Sequence, residues 1–141
     1  MNVKIKREVF NQIKETIGKC VPEAGGVLGC KKNIICSYYF DSKSSNYSKY
    51  EPSITDINAT LIEWRKNEIY FAGIIHSHPN DCNSLSKSDI DSIIAIFEKT
   101  NFSGTLFFPI VTNHKKFAIR FYFAKKSHIG IVIKKAKYSL M

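Results

Sequence analysis

The sequence has few of the features that mark secreted or membrane proteins. Its 141 residues include only four cysteines, and no two form a Cys-x-x-Cys pair, which argues against a disulfide scaffold and against a structural zinc knuckle. No apolar run approaches the roughly 18 residues of a membrane span. The opening residues, MNVKIKREVF, lack the apolar core of a signal peptide. We therefore expect reduced thiols, no membrane partner and a cytoplasmic location.

Acidic residues are also scarce. Twelve Asp and Glu stand against 21 Lys and Arg, and the resulting formal charge of +9 favours anionic partners at low salt. The basic residues are nevertheless scattered, and no helix-turn-helix or other nucleic-acid reader accompanies them. We interpret the charge as a solvated surface with a basic tail around Lys134, Lys135 and Lys137, and we do not expect nucleic acid as a partner.

The residues that are present predict a single α/β domain over residues 1–141. Apolar periodicity predicts three helices, at about 7–19, 55–66 and after Ser86. It predicts strands at 26–30, 34–40, 70–75, 105–112 and 117–125, with a final edge strand at 129–133. This α-β-β-α-β-α-β-β-β order gives a mixed sheet flanked by helices. The serine-rich residues 41–49 fit a movable flap or a plain surface loop.

The stretch from Gly73 to Asp91 carries the chemistry. His76 and His78 follow a strand-like run, and side chains two positions apart leave the same face of a strand about 6.6 Å apart, so both can reach one metal. Ser86 suits a helix N-cap, and Asp89 three residues later falls in the first turn. Two imidazoles and a carboxylate, with a fourth position left for water, form a typical catalytic zinc set.

Each of these signals has a plainer interpretation when taken alone. A single histidine is usually a surface or core residue, and Ser-x-x-Asp is usually a capping box. Together, the two histidines, the loop and the capped helix suit a metal site, whereas no structural role would require all of them at this spacing. His114 and His128 lie at predicted turns, and we interpret both as surface residues.

The order His76-Ser77-His78, seven residues, Ser86, two residues, Asp89 resembles the H-S/T-H-x7-S-x-x-D signature of the JAMM (JAB/MPN) zinc metallopeptidases. That family also uses a glutamate before a glycine-rich strand, and Glu23 in the run PEAGGVLG resembles it. The resemblance implies a cytidine-deaminase-like α/β/α sandwich that binds Zn²⁺. It further implies three metal ligands, His76, His78 and Asp89, and two catalytic residues, Glu23 as general base and Ser86 as a hydrogen-bond donor to the oxyanion.

The same resemblance implies a hydrolase that cleaves after the C-terminus of a ubiquitin-like protein, for maturation or deconjugation. The short chain is similar to compact prokaryotic JAB proteins, which act beside E1- and E2-like enzymes, including those of antiphage conjugation operons. The alternative is a non-catalytic MPN module that serves as a scaffold in a complex. A zinc deaminase is disfavoured because H-x-E and P-C-x-x-C are missing. A cysteine peptidase built on Cys82 is conceivable, although the thiol is better explained as incidental.

Overall fold

The computed structural model describes residues 1–42 and 50–141, so most of the segment predicted as a flap, residues 43–49, lies outside the described residues. The described parts form a mixed α/β fold with eight strands and three α-helices. In chain order the elements are β1 Asn2–Ile5, α1 Arg7–Glu15, a 3₁₀ turn Ile17–Lys19, β2 Gly25–Lys31, β3 Ile34–Phe40, α2 Ile54–Arg65, β4 Tyr70–Ser77, α3 Lys87–Thr100, β5 Thr105–Phe107, β6 Ile110–Thr112, β7 Ala118–Ser127 and β8 Gly130–Leu140.

The strands form one sheet that closes on itself. Its order is β2-β3-β1-β8-β7-β5-β4-β6, and β2 pairs not only with β3 but also, antiparallel, with β4. Parallel and antiparallel pairs are mixed, since β1 runs parallel to both β3 and β8 whereas β7 and β8 are antiparallel. The predicted mixed α/β character is confirmed. The predicted α/β/α sandwich is not a clear match, because the sheet is a closed barrel rather than an open layer between helices.

Two hydrophobic cores lie on opposite faces of this sheet. The amphipathic helix α1 buries Val9 and Ile13 in the first core, and α3 buries Ile93 and Phe97 in the second. Strand β7 supplies Phe121 to the first core and Ala124 to the second. Side chains an odd number of positions apart leave opposite faces of a strand, which is why one strand serves both. Among the described residues, none of the helices is long and apolar enough to cross a membrane.

Several boundaries differ from the sequence-based prediction. Strand β1 was missed, and the predicted strand 105–112 is two strands separated by Phe108 and Pro109. The predicted edge strand 129–133 is the start of β8, which continues to Leu140 and lies between β1 and β7. The helix predicted at 7–19 ends at Glu15, and a 3₁₀ turn follows it. The predicted strands 26–30 and 34–40 form a hairpin, in which Lys32 and Asn33 both have positive φ and join β2 to β3.

Strand β4 positions the candidate site. It lies between β2 and the short strands β5 and β6, so its carboxyl end is supported on both sides. Gly73 allows the approach of β5: its φ is +143°, and a Cβ there would lie 1.7 Å from the carbonyl oxygen of Phe107. His76 then pairs with Gly25 on one side and Ile110 on the other. The strand end that carries the histidines is therefore fixed by backbone pairing.

Candidate metal centre

His76 and His78 stand side by side at the end of β4, as their spacing predicts. Both are buried, and their Nε2 atoms lie 2.9 Å apart. The backbone N–H of His78 donates to the carbonyl of Val111, and its ring Nδ1 lies 3.0 Å from the carbonyl oxygen of Cys82. A neutral ring that donates from Nδ1 keeps the lone pair of Nε2 for a metal. The orientation of His78 is therefore set before any metal binds.

Asp89 reaches both histidines because of the way in which α3 begins. Ser86 and Asp89 form a reciprocal capping box: the N–H of Asp89 donates to Ser86 Oγ at 3.0 Å, and the N–H of Ser86 donates to Asp89 Oδ2 at 2.9 Å. The capped carboxylate places Oδ1 3.2 Å from His76 Nε2 and Oδ2 3.1 Å from His78 Nε2. The helix start thus aims the third candidate ligand at the strand end.

The donor atoms of these three side chains fit a divalent metal. The distances are 2.9 Å between the two Nε2 atoms, 3.2 Å from His76 Nε2 to Asp89 Oδ1 and 3.1 Å from His78 Nε2 to Asp89 Oδ2, so they involve both carboxylate oxygens. Each is close to the edge of about 3.3 Å expected for a tetrahedron with metal–ligand bonds of about 2.0–2.1 Å. Two imidazole nitrogens and one carboxylate oxygen suit zinc and several other divalent transition metals. The geometry supports a metal centre without selecting the metal.

Glu23 lies beside this trio, in the turn before β2. Its Oε2 is 4.0 Å from His78 Nε2, and donor atoms of Glu23, His76 and His78 all lie within 4.8 Å of one another. These three residues could also hold a metal. Asp89 contacts both imidazoles at shorter range than Glu23 does, so either carboxylate could complete a set of three donors with the two histidines. Glu23 Oε1 accepts a hydrogen bond from the backbone N–H of Tyr50 at 3.2 Å.

The carboxylates shift the protonation of the site. Burial lowers the pKa of His78, but the hydrogen bond and charge of Asp89, with a smaller effect of Glu23, outweigh burial and raise that pKa to about 9. Burial raises the pKa of Asp89, yet the hydrogen bonds from His76 and His78 hold it well below its ordinary range. Without a metal, the site at neutral pH therefore holds an ionised Asp89 beside a protonated His78.

A cleft of ≈ 360 Å³ opens next to His78. One wall is the 3₁₀ turn and the chain up to Pro22, directly before Glu23, and the opposite wall is the loop after β4. Val21, at its rim, is 61% exposed although it is apolar. Of the four clustered side chains, only that of His78 lines the cleft. Its lining residues are Ile17, Gly18, Lys19, Cys20, Val21, Pro22, Ser77, His78, Pro79, Asn80, Val111, Asn113 and His114.

The other residues singled out in the sequence take varied positions. Ser86 is exposed; its oxygen accepts from Asp89, which leaves its own O–H free to donate, so capping and catalysis do not exclude each other. Cys82 is exposed and supplies a carbonyl, not its thiol, to His78. His114 and His128 are exposed, as predicted. Sequence reasoning missed Tyr50 as the residue whose amide holds Glu23, since a backbone donor leaves no pattern in the sequence.

No family model and no curated protein sequence matches the chain. Solved structures do match it. A protein from Desulfitobacterium hafniense has a TM-score of 0.67 at 17% identity, covering 98% of this chain and 92% of that chain. A protein from Salinibacter ruber has a TM-score of 0.57 at 15% identity, covering 96% and 91%. A JAB1/MPN domain protein from Archaeoglobus fulgidus has a TM-score of 0.54 at 17% identity, covering 99% and 98%. At these identities the likeness shows the fold: this chain folds like a JAB1/MPN domain.

Proposed function

We propose that this protein is a zinc-dependent peptidase or isopeptidase that cleaves the bond after the C-terminus of a ubiquitin-like protein. The observation that carries the proposal is the convergence of three ligand-type donors, from His76, His78 and Asp89, with the carboxylate of Glu23 4.0 Å from His78. A site used only for structural metal would normally close all four positions with protein ligands. Here three donors are tightly grouped and a carboxylate stands next to them.

The chemistry divides between the metal and the chain. Zinc, when bound, supplies a Lewis acid that polarises a peptide carbonyl and lowers the pKa of water. Glu23 removes a proton from the attacking water, whose oxygen forms a bond to the carbonyl carbon. The same carboxyl group then gives that proton to the amine as the C–N bond breaks. The Ser86 O–H, at the start of α3, donates to the oxyanion that develops on the carbonyl.

The substrate class is proposed from the resemblance of the motif, and the cleft supports it. A ubiquitin-like tail is an extended segment, and extended segments bind along clefts or strands by backbone hydrogen bonds. The cleft beside His78 offers such a path. We further propose that the enzyme acts in the cytoplasm on precursors or conjugates, beside E1- and E2-like proteins.

The test measures zinc and cleavage on the same preparations. We expect the purified protein to carry about one zinc per chain and to cut a linear fusion of ubiquitin with a reporter domain after the Gly-Gly terminus, with loss of activity on chelation and recovery with added zinc. Glu23→Gln keeps the side-chain shape and removes the base, so it should retain zinc and lose about 10²–10⁴ in kcat.

Each other outcome is informative. If the parent protein binds zinc and a ubiquitin-like protein but cuts none of its fusions, the protein is a scaffold and not an enzyme. Absence of zinc from a folded preparation supplied with the metal would remove the proposal altogether. Unchanged cleavage by Glu23→Gln would show that another group acts as the base.

A further inference from the structure

Asp41 is a charged residue buried away from the metal centre. It follows β3 and has no exposed surface. Its Oδ2 accepts two hydrogen bonds, from the hydroxyl of Tyr50 at 2.9 Å and from the backbone N–H of Ser53 at 2.7 Å. Among the described residues nothing hydrogen-bonds to its Oδ1. A carboxylate is costly to bury, so its retention here calls for an explanation beyond packing.

Tyr50 connects this buried carboxylate to the site. Its hydroxyl is held by Asp41, its ring lies against Gly25, and its backbone N–H donates to Glu23 Oε1 at 3.2 Å. A Cβ on Gly25 would lie 2.3 Å from the ring, so only glycine admits it there. Asp41 is also bound to Gly25, because the backbone N–H of Asp41 donates to the Gly25 carbonyl. Tyr50 is thus fixed at both ends.

We propose that Asp41 and Tyr50 are positioning residues for Glu23: the buried Asp41–Tyr50 hydrogen bond holds the Tyr50 amide where it restrains the Glu23 carboxylate beside His78. This inference rests on the proposed function, in which Glu23 is the base. Among the described residues, Glu23 accepts one hydrogen bond, at Oε1, and its Oε2 faces His78. A glutamate side chain has three rotatable bonds, so a single fixed donor selects the rotamer in which Oε2 can exchange a proton with a bound water.

The test variants remove the link without touching the site. Tyr50→Phe deletes the hydroxyl but keeps both the ring over Gly25 and the backbone amide. Asp41→Ala removes the acceptor, and Asp41→Asn keeps an oxygen that can accept from Tyr50. The matched control is Tyr38→Phe, because the part-buried Tyr38 hydroxyl also makes a hydrogen bond, with Thr16 at 2.7 Å, and no hydrogen bond between described residues joins it to Glu23.

The first readout needs no activity. In the metal-free and zinc-loaded proteins, amide hydrogen exchange at residue 50 should be at least about tenfold faster in Tyr50→Phe and Asp41→Ala than in the parent, since local opening controls exchange. Exchange in Tyr38→Phe and Asp41→Asn should stay close to that of the parent. Unchanged exchange at residue 50 in Tyr50→Phe overturns the proposal, because the hydroxyl would then not hold the amide.

The second readout is cleavage of the ubiquitin–reporter fusion. Tyr50→Phe should keep its zinc and its KM and lose about 10–100-fold in kcat, as expected when a catalytic group is displaced by about 1 Å. Asp41→Asn should recover most of the kcat that Asp41→Ala loses. Combined with Glu23→Gln, Tyr50→Phe should cause no further loss, because the residue it positions no longer acts as a base.

The two proposals fail differently. A full additional loss in the Glu23→Gln background overturns the positioning role, because Tyr50 would then act independently of Glu23. If the parent cleaves no fusion, the proposed function fails; if Glu23→Gln cleaves as fast as the parent, Glu23 is not the base. In both cases the exchange measurement alone decides whether Asp41 and Tyr50 restrain that carboxylate.

Discussion

The three candidate ligands come from one continuous stretch, in which β4 carries the histidines and α3 carries the aspartate. Glu23 instead depends on partners that follow β3 and precede α2, far from it in sequence. The polar contacts among the candidate ligands join residues at most 13 positions apart, whereas the hydrogen bond that holds Glu23 joins residues 27 positions apart. The candidate ligands can thus be recognised within one stretch of sequence, whereas the proposed base depends on a contact between separate segments.

The candidate ligand Asp89 and the proposed base Glu23 also differ in how many contacts hold them. Asp89 makes four polar contacts, with His76, with His78 and, reciprocally, with Ser86. Within residues 1–42 and 50–141, Glu23 has one hydrogen bond, from a backbone amide, and one approach of 4.0 Å to His78. The loss of one contact should therefore disturb the base more than the ligands. Variants on each side can test this contrast.

The largest effect should come from the ligand side. His78→Ala removes one of three donors, so we expect loss of bound zinc and a fall of activity to the background rate. Elemental analysis and the fusion-cleavage assay measure both. His128→Ala, at an exposed turn, is the matched control and should keep metal and activity. Zinc retained at full occupancy in His78→Ala would contradict the ligand assignment.

Ser86→Ala should have an intermediate effect, because Ser86 both contacts the candidate ligand Asp89 and is a proposed catalytic residue. It removes the helix cap, worth about 1 kcal/mol of stability, and the donor to the oxyanion, worth about 10²–10³ in rate. We expect zinc to be retained, since the N–H of residue 86 still donates to Asp89. Rates have to be compared below the melting transition of both proteins. Ser88 lies two residues after Ser86 in the same first turn and is also exposed, so Ser88→Ala controls for changes in helix propensity. An activity loss of the same size in Ser88→Ala would assign the effect to the helix rather than to the hydroxyl.

The smallest effect is a pH dependence of the metal-free protein. His78 has a pKa of about 9 in the folded state against about 6.5 in an unfolded chain, so its stabilising contribution is complete below pH 6.5 and is lost as the pH rises to about 9. The free energy of unfolding should fall across that window by at most about 1.4 kcal/mol per pH unit.

Thermal unfolding at pH 5–10 checks this dependence, with the zinc-loaded protein as control. Asp89 acts in the opposite sense, because its lowered pKa adds stability that is lost only in acid. With zinc bound, His78 has no proton to lose, so the slope above pH 6.5 should vanish. Equal slopes with and without metal would contradict zinc binding at His78.

The same contrast explains what the sequence predicted. His76, His78, Ser86 and Asp89 were found because a strand repeat and a capping box fix their directions over a short stretch. Asp41 and Tyr50 were not found, because their partner is reached through tertiary packing and through a backbone amide. Glu23 was identified only through the family resemblance, since its own surroundings in sequence resemble an ordinary turn.

The errors in the fold have similar causes. Strand β1 has four residues, too few for its alternation of exposed and buried positions to stand out. Pro109 has no N–H to donate and divides the strand predicted at 105–112. The lysines of β8 were interpreted as a tail, although Ala136, Tyr138 and Leu140 alternate with them and pack against the first core. Closure of the sheet depends on the pairing of β2 with β4, which no local pattern encodes.

The reciprocal cap between Ser86 and Asp89 has an evolutionary consequence. Selection for a stable start of α3 acts on the same two residues as selection for a metal ligand and an oxyanion donor. A descendant that had lost catalysis would still benefit from keeping both, so their persistence in a lineage reports helix stability as much as activity. Glu23 contributes less to the fold, since the hydrogen bond that it makes within the described part of the chain only joins a turn to the Tyr50 amide. Drift at position 23 would therefore be the earliest mark of a lineage that has turned from enzyme to scaffold.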